Sequence, residues 1–359
     1  MSLLFQPLTV RERTLRNRLW VSPMCQYSAE DGVPNDWHHV HLAQFASGGA
    51  GLVVAEATAV TADGRISPRD VGLWNDAQRD AWAPIVAAIH ARGAAAGVQL
   101  AHAGRKASTW WPFAGEGRRG SVPAADGGWA TWAPSAVAYE GYAEPRALDE
   151  AGVDAVVDAF AAAARRAVEA GFDVLEVHAA HGYLLHQFLS PLSNHREDAY
   201  GGALENRARL LLRVVRAVRE AAGPAVPIIV RFSGTDAAVG GWDVESTATV
   251  ARWSAAAGAD VFDISSGGLV AHQRILAGPA YQVPLAAHVK RETGLLVAAV
   301  GRIDDGLQAE TVLQAGAADA VFAAREWLRD PHFALRAAFE LGDDIDYWPP
   351  QYERARPRR

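Results

Sequence analysis

Apolar residues fall in short blocks along the chain, each closed off by glycine, proline or charged residues. Two kinds of block alternate. Short runs rich in Val, Ile, Leu and Ala read as buried strands. Longer stretches with apolar positions three and four apart read as amphipathic helices. The predicted strands are Leu19–Val21, 52–57, 97–100, 174–178, 227–231, 260–265, 295–300 and 319–324. The predicted helices cover 36–46, 80–92, 149–170, Leu204–Ala222, 246–257, 281–292, 305–315 and 331–341, with a short helical turn at Leu184–Leu189. Gly48-Gly49, Gly93 and Gly223-Pro224 supply stop signals. Strand followed by helix, repeated eight times, implies a parallel sheet closed into a single (β/α)8 barrel domain spanning residues 1–359. An open doubly wound sheet is the alternative, but no strand runs into a G-x-G-x-x-G turn.

Three stretches lie outside this rhythm. Residues 1–18 form a lead-in whose Leu3, Leu4, Phe5 and Leu8 should pack on a barrel end. Residues 103–147 are rich in Gly, Pro and Trp, including Trp110, Trp111, Trp129 and Trp132. An excursion of that length reads as a lid over the site, the other reading being a surface insertion. Residues 343–359 form a C-terminal tail.

The polar exceptions within the apolar blocks share one address. Cys25, Gln99, His178, Arg231, Ser266, Gly301 and Arg325 fall at or just beyond the C-terminal ends of predicted strands, the end at which barrels of this type carry their active sites. His178, His181 and Tyr183 follow the fourth strand. Two ring N–H groups can converge on one oxygen while a phenol offers a proton, a device for polarising a carbonyl and protonating its neighbour. A pair of satisfied structural histidines is the plainer reading. Gly301-Arg302 and Ala324-Arg325 follow strands seven and eight, where barrels often bind phosphate. Backbone N–H groups and a bidentate arginine suit that anion, and a structural ion pair is the alternative for each arginine. Gln99 and Arg231 suit the edge of an electron-rich heterocycle.

Composition narrows the picture. Hydrophobic residues make up 50% of the 359 and charged residues 21%, which supports a large core and argues against disorder. The net charge of −7 argues against a nucleic-acid partner. Cys25 is the one cysteine, so internal disulfides and multi-thiolate clusters are excluded. No run approaches the ~20 apolar residues of a membrane span, and the N-terminus lacks a signal-peptide layout. A soluble cytoplasmic protein is expected.

Several stretches together resemble the old yellow enzyme family of flavin-dependent ene-reductases, most nearly the bacterial class with a cysteine near the flavin. They are Ser22-Pro23-Met24-Cys25-Gln26-Tyr27, Glu56-Ala57-Thr58-Ala59-Val60, the run from Gln99 to Lys106, and His178-Ala179-Ala180-His181-Gly182-Tyr183. Pro191–Arg196, Tyr200-Gly201-Gly202 with Glu205-Asn206-Arg207, Ser265-Ser266-Gly267-Gly268 and Gln351-Tyr352-Glu353-Arg354 extend the match nearly end to end. The resemblance implies bound FMN, with NADPH or NADH as hydride donor and activated alkenes such as α,β-unsaturated carbonyl compounds as substrates. It implies flavin contacts from Ser22, Pro23, Met24, Cys25, Ala57, Gln99 and Arg231. Ala324 and Arg325 would hold the phosphate, with Gly301 and Arg302 beside them. His178 and His181 would bind the substrate oxygen, Tyr183 would donate the proton, and Tyr27 would close the pocket. Arg354 would reach the neighbouring subunit's site in a homodimer or a dimer of dimers. The chain departs from the family pattern at Ala324, where glycine is usual, in 232–242, and in the tryptophan-rich 109–133. Competing readings are a flavin barrel working oxidatively, a non-catalytic flavin-binding barrel, and a metal-dependent barrel hydrolase built on His102, His178 and His181. The last lacks convergent carboxylates at strand ends.

Overall fold

A computed structural model describes residues 1–356. Residues 357–359 of the predicted tail lie outside the described residues. The chain begins with an antiparallel hairpin, β1 (Leu8–Val10) and β2 (Arg13–Leu15). Then come β3 (Leu19–Val21), α1 (Asp36–Ser47), β4 (Leu52–Ala59), α2 (Asp76–His90) and β5 (Ala95–Ala101). The excursion holds the two-residue strands β6 (Trp132–Ala133) and β7 (Arg146–Ala147). Next are α3 (Glu150–Glu169), β8 (Val174–Ala179), α4 (Leu184–Leu189), α5 (Leu204–Ala222), β9 (Ile228–Ser233), α6 (Val244–Ala257) and β10 (Val261–Ser265). The chain continues through α7 (Val283–Thr293), β11 (Leu296–Ala299), α8 (Gly306–Gln314), β12 (Ala320–Ala323), α9 (Arg325–Arg329) and α10 (Phe333–Leu341).

Among the described residues, eight parallel strands close in the order β3-β4-β5-β8-β9-β10-β11-β12, with β12 pairing back onto β3. The (β/α)8 barrel expected from the alternation is therefore present. Helix starts follow from side-chain caps. Asn35, Asn75, Asp149, Asp243 and Asp305 each accept a backbone N–H of the first turn. The Asn75 cap, with Gln78 reaching back, starts α2 at Asp76 instead of the expected 80.

Alternation along each strand sends one set of side chains to the helices and the other into the barrel. Val53, Val98, Leu175, Val177, Val230 and Phe262 pack outward in the main core. Leu52, Val54, Val174, Ile229, Val261 and Phe322 point inward, with Trp20 edge-on to Phe322 at 5.2 Å between ring centroids. The hairpin plugs the N-terminal end: Val10 and Leu15 join this inner cluster. One step further along, the same inward positions become polar: Gln99, Glu176, Arg231 and Asp263, all buried. Register aligns Gln99 with Glu176 and Arg231 with Asp263. β9 runs on to Ser233, so Arg231 lies within the strand and not at its end as the pattern suggested; Gln99 is likewise interior to β5.

Candidate active site

Beyond β8 the chain makes a tight turn with His181 at φ 56° and Gly182 at φ 73°. A Cβ on Gly182 would stand 2.2 Å from the Gly268 carbonyl oxygen, so a side chain is excluded there. Side chains hold the turn on every side. The His181 N–H donates to Ser233 Oγ at 2.9 Å, and the Gly182 N–H to His186 Nδ1 at 2.9 Å. Gln187 Nε2 donates to the Gly182 carbonyl at 2.7 Å. Lys106 Nζ donates to the carbonyls of His181 and Gly268, each at 2.9 Å. His186 in turn pairs with the buried Asp236 at 2.9 Å.

This turn brings three rings together. His178 meets His181 nearly perpendicular at 5.2 Å between centroids and Tyr183 at 4.9 Å. His178 Nδ1 accepts the Ala180 N–H at 3.2 Å, which puts the ring proton on Nε2. His181 Nε2 lies 2.8 Å from Ser265 Oγ. Ser265 Oγ has one proton and two acceptors in reach, His181 Nε2 and Gln282 Oε1 at 3.2 Å, the latter also taken by Ser266 at 2.6 Å; when the proton goes to His181, that ring carries its own on Nδ1 and remains a donor. Burial, reinforced by the Arg231 charge, keeps both imidazoles neutral by pushing their pKa values well below the ordinary range. Desolvation, with Cys25 and Tyr27 nearby, pushes the Tyr183 phenol well above its ordinary value, so it is protonated and able to donate.

Around the barrel mouth stand the other residues that the sequence singled out. Ser22 Oγ accepts from Arg231 Nη1 at 3.1 Å. Pro23, Met24 and Cys25 follow, partly buried. The Cys25 thiol is pushed up by burial and then by Asp70 and Glu56, which argues against a thiolate, and it is hydrogen-bonded to Tyr27. Tyr27, at φ 52°, meets Phe113 of the excursion edge-on at 6.3 Å. Glu56 Oε2 accepts the Gln26 N–H at 2.9 Å and fixes this segment from behind. Ala57 pairs with Gln99 just past a bulge in β4. Gly301 has φ 115°, and a Cβ there would meet Gln282 Nε2 at 2.6 Å. Arg302 and Arg325 are exposed, and Ala324 begins α9 without any side-chain cap. Small residues, two solvent-facing guanidiniums and an uncapped backbone turn suit a phosphate, and Gln99 and Arg231 suit the polar edge of a planar ring. The donor set thus fits FMN.

Arg354 is not brought to this mouth. Its segment, Pro350–Ala355, follows a tail anchored by Asn17 Nδ2 to Tyr347 Oη at 3.0 Å and by Arg16 over the Tyr347 ring at 4.4 Å. Both anchors precede β3, on the barrel face opposite the mouth. His102 also stands apart: its Nδ1 accepts the Gly104 N–H at 3.0 Å, and it lies near Asp63 and Trp132. Among the described residues, no three or more His, Cys, Asp or Glu residues are grouped to hold a metal ion. Residue-by-residue reading missed Lys106, Ser265, Glu176 and Asp263. The last two carried a signal, since each stands on the inward face of its strand, two residues before His178 and Ser265 respectively.

Comparison with known proteins places this geometry. The family described as NADH:flavin oxidoreductase / NADH oxidase matches residues 3–344. The NADPH dehydrogenase of Listeria welshimeri is 46% identical over 358 residues, 99% of each chain. Morphinone reductase superposes with a TM-score of 0.79 at 29% identity, over 98% of this chain and 92% of its own. An old yellow enzyme homologue from Zymomonas mobilis gives 0.78 at 29% identity, over 99% of both chains. From these matches and the mouth that fits FMN, the chain belongs to the NADH:flavin oxidoreductase / NADH oxidase family, as an NAD(P)H-dependent, FMN-binding barrel of the old yellow enzyme type.

Proposed function

We propose that this protein is an ene-reductase that saturates the carbon–carbon double bond of α,β-unsaturated carbonyl compounds and similarly activated alkenes. The observation that carries the reading is the end of β8 and the turn after it, where the His178 ring stands 5.2 Å from His181 and 4.9 Å from Tyr183 between centroids. FMN, when bound, would take hydride from NADPH or NADH and pass it to the substrate's β carbon. Ser22, Pro23, Met24, Cys25, Ala57, Gln99 and Arg231 would line its ring system. Gly301, Arg302, Ala324 and Arg325 would hold its phosphate. His178 and His181 would donate to the substrate oxygen and draw electron density toward it. Tyr183 would give its phenolic proton to the α carbon. Tyr27 would cover the pocket, with Phe113 of the 103–147 excursion behind it as part of a lid. The whole chain would act as one FMN-binding domain, in the cytoplasm.

The reductive reading gains over an oxidative one from the protonation states. Burial keeps the Tyr183 phenol protonated, whereas the oxidative direction needs it as a phenolate base, and each neutral imidazole keeps one N–H to donate. Arg354 supports a shared site: it is exposed, and the tail that carries it is anchored on the face away from its own mouth. A homodimer, or a dimer of dimers, in which this arginine reaches the neighbouring mouth accounts for it.

Anaerobic stopped-flow on Tyr183→Phe tests the acid. Flavin reduction by NADPH should proceed at nearly the wild-type rate, while reoxidation by an enone should slow by roughly 10²-fold or more. Equal slowing of both half-reactions would remove Tyr183 from this role.

A further inference from the structure

The polar layer beneath the mouth carries more negative than positive charge. Arg231 Nε lies 3.1 Å from Asp263 Oδ2, and its Nη1 lies 4.0 Å from Glu176 Oε1. Gln99 Nε2 donates to that same Glu176 oxygen at 2.6 Å. Glu176 and Asp263 are 0% exposed and Arg231 is 5% exposed. Glu176 Oε2 and both Asp263 oxygens are buried without a hydrogen-bond partner. Two buried carboxylates therefore share one cation. The surrounding elements offer little to balance them. Ser22 stands just past β3 and Gln99 on β5, while β4, β11 and β12 present Val54, Ala298, Ala320 and Phe322. The titratable groups above are His178 and His181, both neutral, Tyr183, protonated against His178, and Lys106, whose ammonium is spent on two carbonyls.

We propose that Glu176, Arg231 and Asp263 form a proton-holding charge set beneath the flavin site, in which Glu176 and Asp263 act through Arg231 to couple flavin reduction to uptake of one extra proton. The proposal rests on the reading that the flavin lies over Arg231, but not on the identity of the alkene. With both carboxylates ionised the set carries one negative charge, and with one protonated it is neutral. Carboxylates held this close in low dielectric do not both ionise readily. Burial and the mutual repulsion of the pair raise the carboxyl of Glu176 above its usual range, with Arg231 opposing. When hydride or two electrons arrive from the nicotinamide and the flavin keeps one negative charge, Arg231 is drawn toward that charge. The carboxylates lose part of their counter-ion, and at pH values where both are ionised beside the oxidised flavin Glu176 then binds a proton from solvent, forming one O–H bond. On reoxidation the same proton returns to solvent.

The test is the flavin's midpoint potential against pH, measured spectroelectrochemically on the FMN-loaded enzyme between about pH 6 and 9. Over part of that range the wild-type potential should fall with the slope of two protons per two electrons. Glu176→Gln, neutral at every pH, should show the one-proton slope throughout and a higher potential at the alkaline end. Asp263→Asn should also lose the extra proton, because Arg231 then balances Glu176 alone, so either variant suffices if the other does not fold. A wild-type slope fixed at one proton across the range overturns the proposal. So does a two-proton slope that survives in a folded variant. If the flavin does not lie over Arg231, Arg231→Lys would leave flavin affinity and spectrum unchanged, which separates a failure of the underlying placement from a failure of the coupling.

Discussion

At the residue scale, what matters is which protons are present and which are free. His178 is fixed with its proton on Nε2 by the Ala180 N–H, and His181 depends on Ser265 for its own tautomer. A hydrogen bond to a charged or partly charged oxygen is worth about 1.5–3 kcal/mol, so His178→Ala or His181→Ala should weaken a bound phenol by about 10- to 100-fold. Titrating a substituted phenol against the flavin absorbance measures this, and unchanged dissociation constants in both variants would make the rings purely structural. Ser265→Ala should weaken the same ligand by a smaller factor, since it removes the tautomer control and leaves the ring. The histidines and the tyrosine were legible because they stand together in one short run of sequence. Lys106 and Ser265 were not, because their partners are the carbonyls and ring of a turn distant along the chain. Arg231 was legible as a candidate site residue but misplaced within its strand: Phe232 and Ser233 continue the inward and outward alternation, and no breaker follows until Gly234.

At the element scale, the barrel strands were readable because burial on both faces leaves nearly continuous apolar runs. The hairpin β1–β2 was not, since only one side of it is buried and its turn lacks Gly or Asn; Arg11 takes φ 51° there instead. Its role is visible only in three dimensions, where Leu15 packs with Trp20 and the first inward residues of the barrel. Leu15→Ala should cost about 2–5 kcal/mol in urea unfolding, the range for truncating a buried leucine. A loss under about 0.5 kcal/mol, the scale of a surface change, would mean that the hairpin is not a plug. The five-residue α9 was also missed, being too short for any helical period. The 103–147 excursion was recognised by composition; it meets the site through Lys106 on the His181 carbonyl and, further out, through Phe113 on Tyr27. Phe113 is 65% exposed, so Phe113→Ala should leave thermal stability unchanged. It should raise KM for enones more than it lowers kcat. Unaltered KM values would assign the segment to the surface.

At the scale of the whole molecule, the barrel gathers groups from β3, β4, β5, β8, β9 and β10 at one end and leaves the tail at the other. That separation predicts complementation between subunits. Mixed dimers of Arg354→Ala and Tyr183→Phe should regain activity above either parent, because one mouth would carry both lesions and the other neither. No recovery in confirmed mixed dimers would confine Arg354 to its own chain. The central claim is that the bound flavin takes hydride from the nicotinamide and passes it on to an activated alkene. The most direct measurement is anaerobic: reduce the bound flavin with one equivalent of NADPH, follow the loss of its absorbance, then add cyclohexenone. The oxidised flavin spectrum should return in full, with one equivalent of saturated ketone formed. A flavin that NADPH reduces but that stays reduced in the presence of cyclohexenone, maleimide and a nitroalkene alike would contradict the claim.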